Sequence, residues 1–248
     1  MKVEGRIRDF VILLDKFIYI LGKHWLFAVN WAIAIYVGLP LLAPVLMQNG
    51  YTGLGNFIYD IYGPPVCHQL PERSFFLYGP QPTYTVEELD DLAGEQVPLR
   101  YTGNPEIGQK IGICQRCLAI YLTLLFGGIA FGLVRGQLRP PPWQVMILFL
   151  LPMAIDGTGQ LVGLWESTWL KRTITGVLAS TGLIWLVYPV IEEGMRDVQV
   201  QALKQLDKDR AKSCAGSRPA AGGKDEEHQA KAAQDEQREQ LVQTMGDE

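Results

Sequence analysis

Four stretches of the chain run apolar for long distances with few or no charged interruptions: Trp25 to Met47, Cys117 to Val134, Trp143 to Trp165 and Thr173 to Ile191. The first carries no charge, and the third carries only Asp156. A helix crossing the hydrocarbon core of a bilayer needs about 20 mostly apolar residues. The pattern therefore predicts four membrane-spanning helices and an all-α, polytopic membrane protein, with a soluble protein of buried helices as the alternative. Trp25, Trp143, Trp165 and Trp169 stand at span ends, where amphipathic indoles settle at a membrane interface.

Ahead of the first span, Ile7, Phe10, Val11, Leu14, Phe17, Ile18 and Leu21 recur at helical spacing, with Arg6, Asp9, Lys16 and Lys23 between them. This is the pattern of an amphipathic helix lying in the interface, assigned to residues 1–23. Residues 24–191 form the membrane domain, with an outer loop over 48–112. Within that loop, GLGNFIYDIYG predicts a short helix leading to Cys67. TVEELDDLAG predicts another, opened by a capping box at Thr85 and Glu88 and closed at Gly94. Residues 192–248 are a polar tail. From about Gln201 it has almost no large apolar residue, which predicts disorder or a helix fading into disorder.

Charge sets the expected orientation. Lys2, Arg6, Arg8, Lys16 and Lys23 precede the first span, Arg135 and Arg139 join the second to the third, and basic residues recur after Ile191. The positive-inside rule then places both termini in the cytoplasm of a cell-membrane protein and the long loop outside, although Lys171 and Arg172 run against it. A formal net charge of −4 gives no support for a nucleic-acid partner. The lipid bilayer is the partner that the pattern requires.

The four cysteines are too few for a disulfide-rich scaffold. Cys214 lies in the tail as a bystander. The other three sit in two motifs, PPVCHQLPERSFF with Cys67 and His68, and GICQRCLAIY with Cys114 and Cys117. Cys114 and Cys117 are three apart where a helix begins, so they share a face, and the helix terminus favours thiolate. With Cys67 and His68 they make a tetrahedral ligand set suited to zinc. Adjacent residues rarely both reach one ion, so one of the Cys-His pair would bind and the other stand beside it. Two alternatives remain open: a disulfide from Cys67 to one of the pair, and a thiol oxidoreductase that passes electrons from Cys114 and Cys117 to a quinone. A scaffold or assembly factor that docks partners through its loop and tail is the third class of function.

Further candidates are charged or polar. Asp156 inside a span costs at least ~2.5 kcal/mol if it faces lipid, so it should face the bundle. Gln160 lies one turn on, and Arg172 at the head of the fourth span is expected to approach Asp156. Arg73 and Arg116 flank the cysteines, and Arg116 suits a carboxylate, a phosphate or a quinone oxygen. Gly128 and Gly132 form a small-residue packing stripe. His24 and His228 receive no role.

VCHQLPERSFF, CQRCLAIYLTLLFGG and DGTGQLVGLWESTWLKRTITGVLAS, in that order, resemble the bacterial and archaeal membrane proteins grouped as domain of unknown function 2085, over roughly Ile58 to Leu183. The resemblance maps that family's pattern onto Cys67, His68, Gln69, Arg73, Ser74, Cys114, Cys117, Asp156, Gly157, Arg172 and Gly176. A long insert, about Gly79 to Lys110, separates the two cysteine motifs here. The resemblance implies a multi-pass membrane protein and brings no activity with it.

Overall fold

The computed structural model describes residues 2–64 and 66–216; the expectation for the tail beyond Gly216 lies outside the described residues. The element order is α1 (Lys2–Gln48), α2 (Thr52–Ile61), a 3-10 turn at Pro71–Arg73, β1 (Ser74–Leu77), α3 (Val86–Ala93), β2 (Gly103–Asn104), β3 (Gly108–Cys114), α4 (Gln115–Leu133), α5 (Trp143–Leu161) and α6 (Trp169–Gly216). Helices α1, α4, α5 and α6 each contain a segment long and apolar enough to cross a membrane, and the protein is an all-α polytopic membrane protein. Their apolar side chains face outward: Phe27, Trp31, Phe126, Ile129 and Leu148 are all exposed on the protein surface. That surface suits lipid, which hydrates nothing and lets Leu and Phe stay outside.

The described residues divide into two compact units, residues 24–192 and residues 2–23 with 193–216. In the first unit α4 packs against α1 and α6. At Gly128 the helices approach so closely that an added Cβ would run into Asn30 Oδ1, whereas at Gly132 it would only touch Leu26 Cδ2. Rings tie the other end: Tyr188 meets both Trp25 and Phe131 edge-on, and Trp25 Nε1 donates to Glu192 Oε2 at 2.8 Å. Arg135 pairs with the other oxygen of Glu192 at 2.8 Å. Helix α5 joins through Phe149, which lies against Gly182 and Trp185.

In the second unit residues 193–216, within the expected tail, are the C-terminal part of α6, the helical form that the expectation allowed. Ala, Leu, Lys, Gln, Glu and Arg dominate this stretch, and these are strong helix formers. Val198 is exposed, while Gln199 and Ala202 are buried, and Gly22 lies against the Gln199 side chain. Helix α1 starts at Lys2, and its backbone is non-helical at His24, where two helical segments meet at a kink.

The outer loop holds an element that the hydrophobic pattern does not announce: a three-stranded antiparallel sheet in the order β1-β3-β2. Its register pairs Ser74 with Cys114 and Phe76 with Lys110, with a bulge between. A second small core, Phe76, Tyr84, Leu89 and Ile107, sits beneath α3. The capping box at Thr85 and Glu88 and the left-handed Gly94 that ends α3 both form as the motif requires. The insert is thus folded onto the site-bearing strand and is not a loose connection.

Candidate metal centre and arginine cluster

Strand β3 runs directly into α4, so Cys114 is the N-cap residue and Cys117 sits one turn in. The β1–β3 pairing draws the segment after Cys67 alongside Cys114, which closes a separation of 47 residues. Gln69 has positive φ (+50°), a conformation that few non-glycine residues hold without support. Two hydrogen bonds hold it: Gln69 Nε2 donates to Tyr59 O at 2.9 Å, and Lys110 Nζ donates to Gln69 O at 2.6 Å. The resulting turn leaves Cys67 buried and His68 exposed.

The three sulfurs of Cys67, Cys114 and Cys117 all lie within 4.8 Å of one another, and none of the three is disulfide-bonded. His68 does not join them. Its Nδ1 instead accepts from Leu70 N at 3.2 Å. The backbone N–H of Cys114 donates to Cys67 Sγ at 3.3 Å. Hydrogen bonds from the Cys114 and Cys117 thiols, aided by backbone N–H groups, hold the Cys67 thiol well below its ordinary pKa despite burial. Cys67 and Cys114 belong to one buried apolar cluster with Val37, Ile58, Tyr59, Tyr62, Ile113 and Leu118, and Cys117 packs against it, so a bound ion would be screened from water.

Lys110 sits beside this cluster and is fully buried. Tyr59 donates its hydroxyl to Lys110 O. Burial lowers the Lys110 ammonium to about 8. Sequence reading missed Lys110, whose signal was a charged residue just ahead of the apolar Ile111 to Ile113 segment of β3.

Next to the sulfurs, three arginines converge from three elements. Arg116, the second residue of α4, pairs with Asp156 of α5, and Asp156 Oδ2 also accepts from Ser167 Oγ at 2.7 Å. Asp156 therefore faces protein as its burial demands, but its cation is Arg116 and not the expected Arg172. Helix α4 begins at the level where α5 ends, which puts Arg116 within reach of the carboxylate. Arg172 turns instead to Gln115 Oε1 at 3.1 Å and to Glu72 O at 3.4 Å. Gln160, with its amide oxygen toward the guanidiniums, accepts from Arg73 Nη2 at 3.3 Å and Arg172 Nη2 at 3.0 Å. Arg73 also faces Glu72 at 3.6 Å. Gln115 donates to Ser74 O at 3.1 Å and so links the sheet to this cluster. Gln115 and Ser167 carry no sequence signal that would single them out.

The family model described as Predicted membrane protein (DUF2085) matches residues 107–186. That range includes Cys114, Arg116, Cys117, Asp156, Gln160 and Arg172, and it begins after Cys67 and Arg73. An uncharacterized protein of Methanocaldococcus jannaschii is 29% identical over 180 residues, covering 69% of this chain and 94% of that protein. No solved structure matches the chain. Residues 107–186 are thus similar to the family described as Predicted membrane protein (DUF2085), in the part of the resemblance that Cys114, Cys117, Asp156 and Arg172 carry.

Proposed function

We propose that this integral membrane protein holds one metal ion, zinc in character, on Cys67, Cys114 and Cys117 at the outer face of the cell membrane. The observation that carries the reading is the meeting of three unpaired sulfurs within 4.8 Å. Zinc bound to thiolates at about 2.3 Å in a tetrahedron sets sulfurs roughly 3.8 Å apart, so the cluster fits with small adjustments. Three adjacent thiols do not all ionise unless a cation lies among them. Soft sulfur donors favour zinc, copper(I) or iron over magnesium or calcium. Three protein ligands leave one tetrahedral position for water or another donor, the arrangement of a site that can act as a Lewis acid.

Both termini lie in the cytoplasm in this reading, supported by the basic residues before the first span and between the second and third. Residues 1–23 then line the inner interface, and the sheet-bearing loop lies outside.

The test is elemental analysis of protein purified under reducing conditions. About one metal per chain is expected, falling to near zero in Cys114→Ser. Absence of stoichiometric metal from the wild-type protein overturns the reading. Thiol trapping in intact cells separates it from quinone-linked oxidation: a metal centre keeps the three thiols protected and reduced, whereas a redox pair shows a mixed population of dithiol and disulfide.

A further inference from the structure

The arginine cluster is short of negative charge. Three guanidinium groups, Arg73, Arg116 and Arg172, share one buried carboxylate, Asp156, and the partly exposed Glu72. Asp156 is already engaged by Arg116 and Ser167. Arg172 is 8% exposed and its acceptors are all neutral: a backbone carbonyl, Gln115 and Gln160. The Nε atoms of Arg73, Arg116 and Arg172 are each buried without a hydrogen-bond partner. A buried cation with neutral partners and an unused N–H is costly, and removal of that cost needs an anion. Guanidinium groups are built to grip oxyanions with two parallel N–H donors.

The surroundings say what kind of oxyanion. The cluster lies where α4 and α6 begin and α5 ends, the loop-bearing end of the spans and hence the depth of lipid headgroups. Beside it runs an open groove of about 450 Å³ between α5 and α6, with Leu148, Leu151, Ile155, Trp165 and Ile174 as its apolar walls. Asp156, the partner of Arg116, also lines it, together with Thr175 and Lys171. A groove of this composition accepts a hydrocarbon chain, not a soluble ion.

We propose that Arg73, Arg116 and Arg172 form an oxyanion site for a phosphate group, and that an anionic phospholipid, with an acyl chain in the α5–α6 groove, is the source that fits. Arg172, whose hydrogen-bond acceptors are neutral, supplies the unmatched charge, Arg73 stands beside it against Glu72, Arg116 remains anchored by Asp156, and Gln160 accepts from Arg73 and Arg172. The site is independent of the metal: its residues share no ligand atom with the three sulfurs.

The test compares full-length, metal-analysed protein in nanodiscs of phosphatidylcholine alone with nanodiscs containing phosphatidylglycerol, and, in detergent, with and without inorganic phosphate. The readouts are the ligand-dependent shift in unfolding temperature and the lipid retained in native mass spectrometry. Phosphatidylglycerol is expected to stabilise the wild type and to be retained. Arg73→Gln and Arg172→Gln are each expected to weaken that binding about tenfold, as loss of one charge-assisted hydrogen-bonding group implies. Arg73 is part-exposed and lies in a turn, so its variant keeps the test open if Arg172→Gln does not fold. Stabilisation by inorganic phosphate that the same variants abolish, with no gain from phosphatidylglycerol, keeps the oxyanion site and removes the lipid from it. No response to either probe, or an equal response in Arg73→Gln and wild type, overturns the proposal. Because metal content is measured on the same samples, loss of lipid binding with metal retained is distinguishable from loss of the metal centre.

Discussion

The backbone N–H of Cys114 points at the sulfur of Cys67 across 3.3 Å, joining the N-cap of a membrane helix to a turn 47 residues earlier. Lys110 of the strand β3 that delivers Cys114 donates to the carbonyl of the left-handed Gln69 just after Cys67, and the Gln69 side chain is in turn held by Tyr59 O. The sulfur cluster, the sheet and the turn are therefore one mechanical unit.

The division of labour between Cys67 and His68 is testable. Cys67→Ala removes a sulfur from the cluster and is expected to lose metal to the same extent as Cys114→Ser. His68→Ala leaves all three sulfurs in place, since its ring is exposed and bonded to Leu70 N. It is expected to retain about one metal per chain, with affinity lowered at most 10–100-fold as for a neighbour of the ligands. Metal content by elemental analysis and affinity by chelator competition read the two outcomes; loss of stoichiometric metal in His68→Ala places the imidazole among the ligands.

Asp156 and Arg116 form an ion pair with 8% and 23% of their side chains exposed. Asp156→Asn leaves the Arg116 guanidinium without its counter-charge, while the amide oxygen can still accept from Ser167 Oγ. A destabilisation of about 2–4 kcal/mol is expected, somewhat below the full cost for a deeply buried pair because Arg116 is part-exposed. The double variant Arg116→Met/Asp156→Leu is expected to recover most of the loss. Reversible unfolding in mixed micelles measures the cycle. Additive single effects would show that the two charges do not act together.

Lys110 makes stability depend on pH in a defined window. Burial lowers its folded-state pKa to about 8 from the ordinary 10.5. Between these values the unfolded chain binds more protons than the folded one, so the folded state gains stability as pH rises from about 8 to 10.5. The cost of burying the ammonium is fully present below pH 8. The stability of wild type relative to Lys110→Met, measured by unfolding on either side of this window, is expected to rise with pH. A pH-independent difference would show that the ammonium is not desolvated.

Gly108 opens β3 at φ +92°, and a Cβ there would meet the backbone of Gly79 and Leu77. Gly108→Ala combines backbone strain with a clash that no side chain can relieve, and a loss of at least about 2 kcal/mol is expected. Because β3 carries Cys114, maleimide labelling of that thiol should accelerate in apo protein. Gly94 ends α3 at φ +71° with open space around it. Gly94→Ala is expected to cost about 1 kcal/mol with Cys114 labelling unchanged.

Much of this was written along the chain. Long apolar runs located the four spans because lipid selects only on length and polarity, with no partner required. Thr85, Glu88 and Gly94 bounded α3 because a cap is satisfied within a few residues of itself. The Cys-x-x-Cys spacing placed Cys114 and Cys117 on one face of a helix by geometry alone. The burial of Asp156 followed from the cost of a carboxylate in hydrocarbon.

Pairings between distant elements were decided by the tertiary structure. The pattern did not show that Arg116 and not Arg172 takes Asp156, because both cations lie at span ends on the same membrane side and only the relative level of α4, α5 and α6 separates them. Nor did it show the three-stranded sheet, whose strands are short and hold their register through Lys110, Gln115 and Ser74. His68 was set apart from Cys67 in a turn whose left-handed residue, Gln69, is stabilised by Tyr59 and Lys110 from elsewhere in the chain. Local periodicity and solvation cost are properties of a segment and can be read in it; which donor meets which acceptor depends on how segments pack, and that information exists only after the chain has folded.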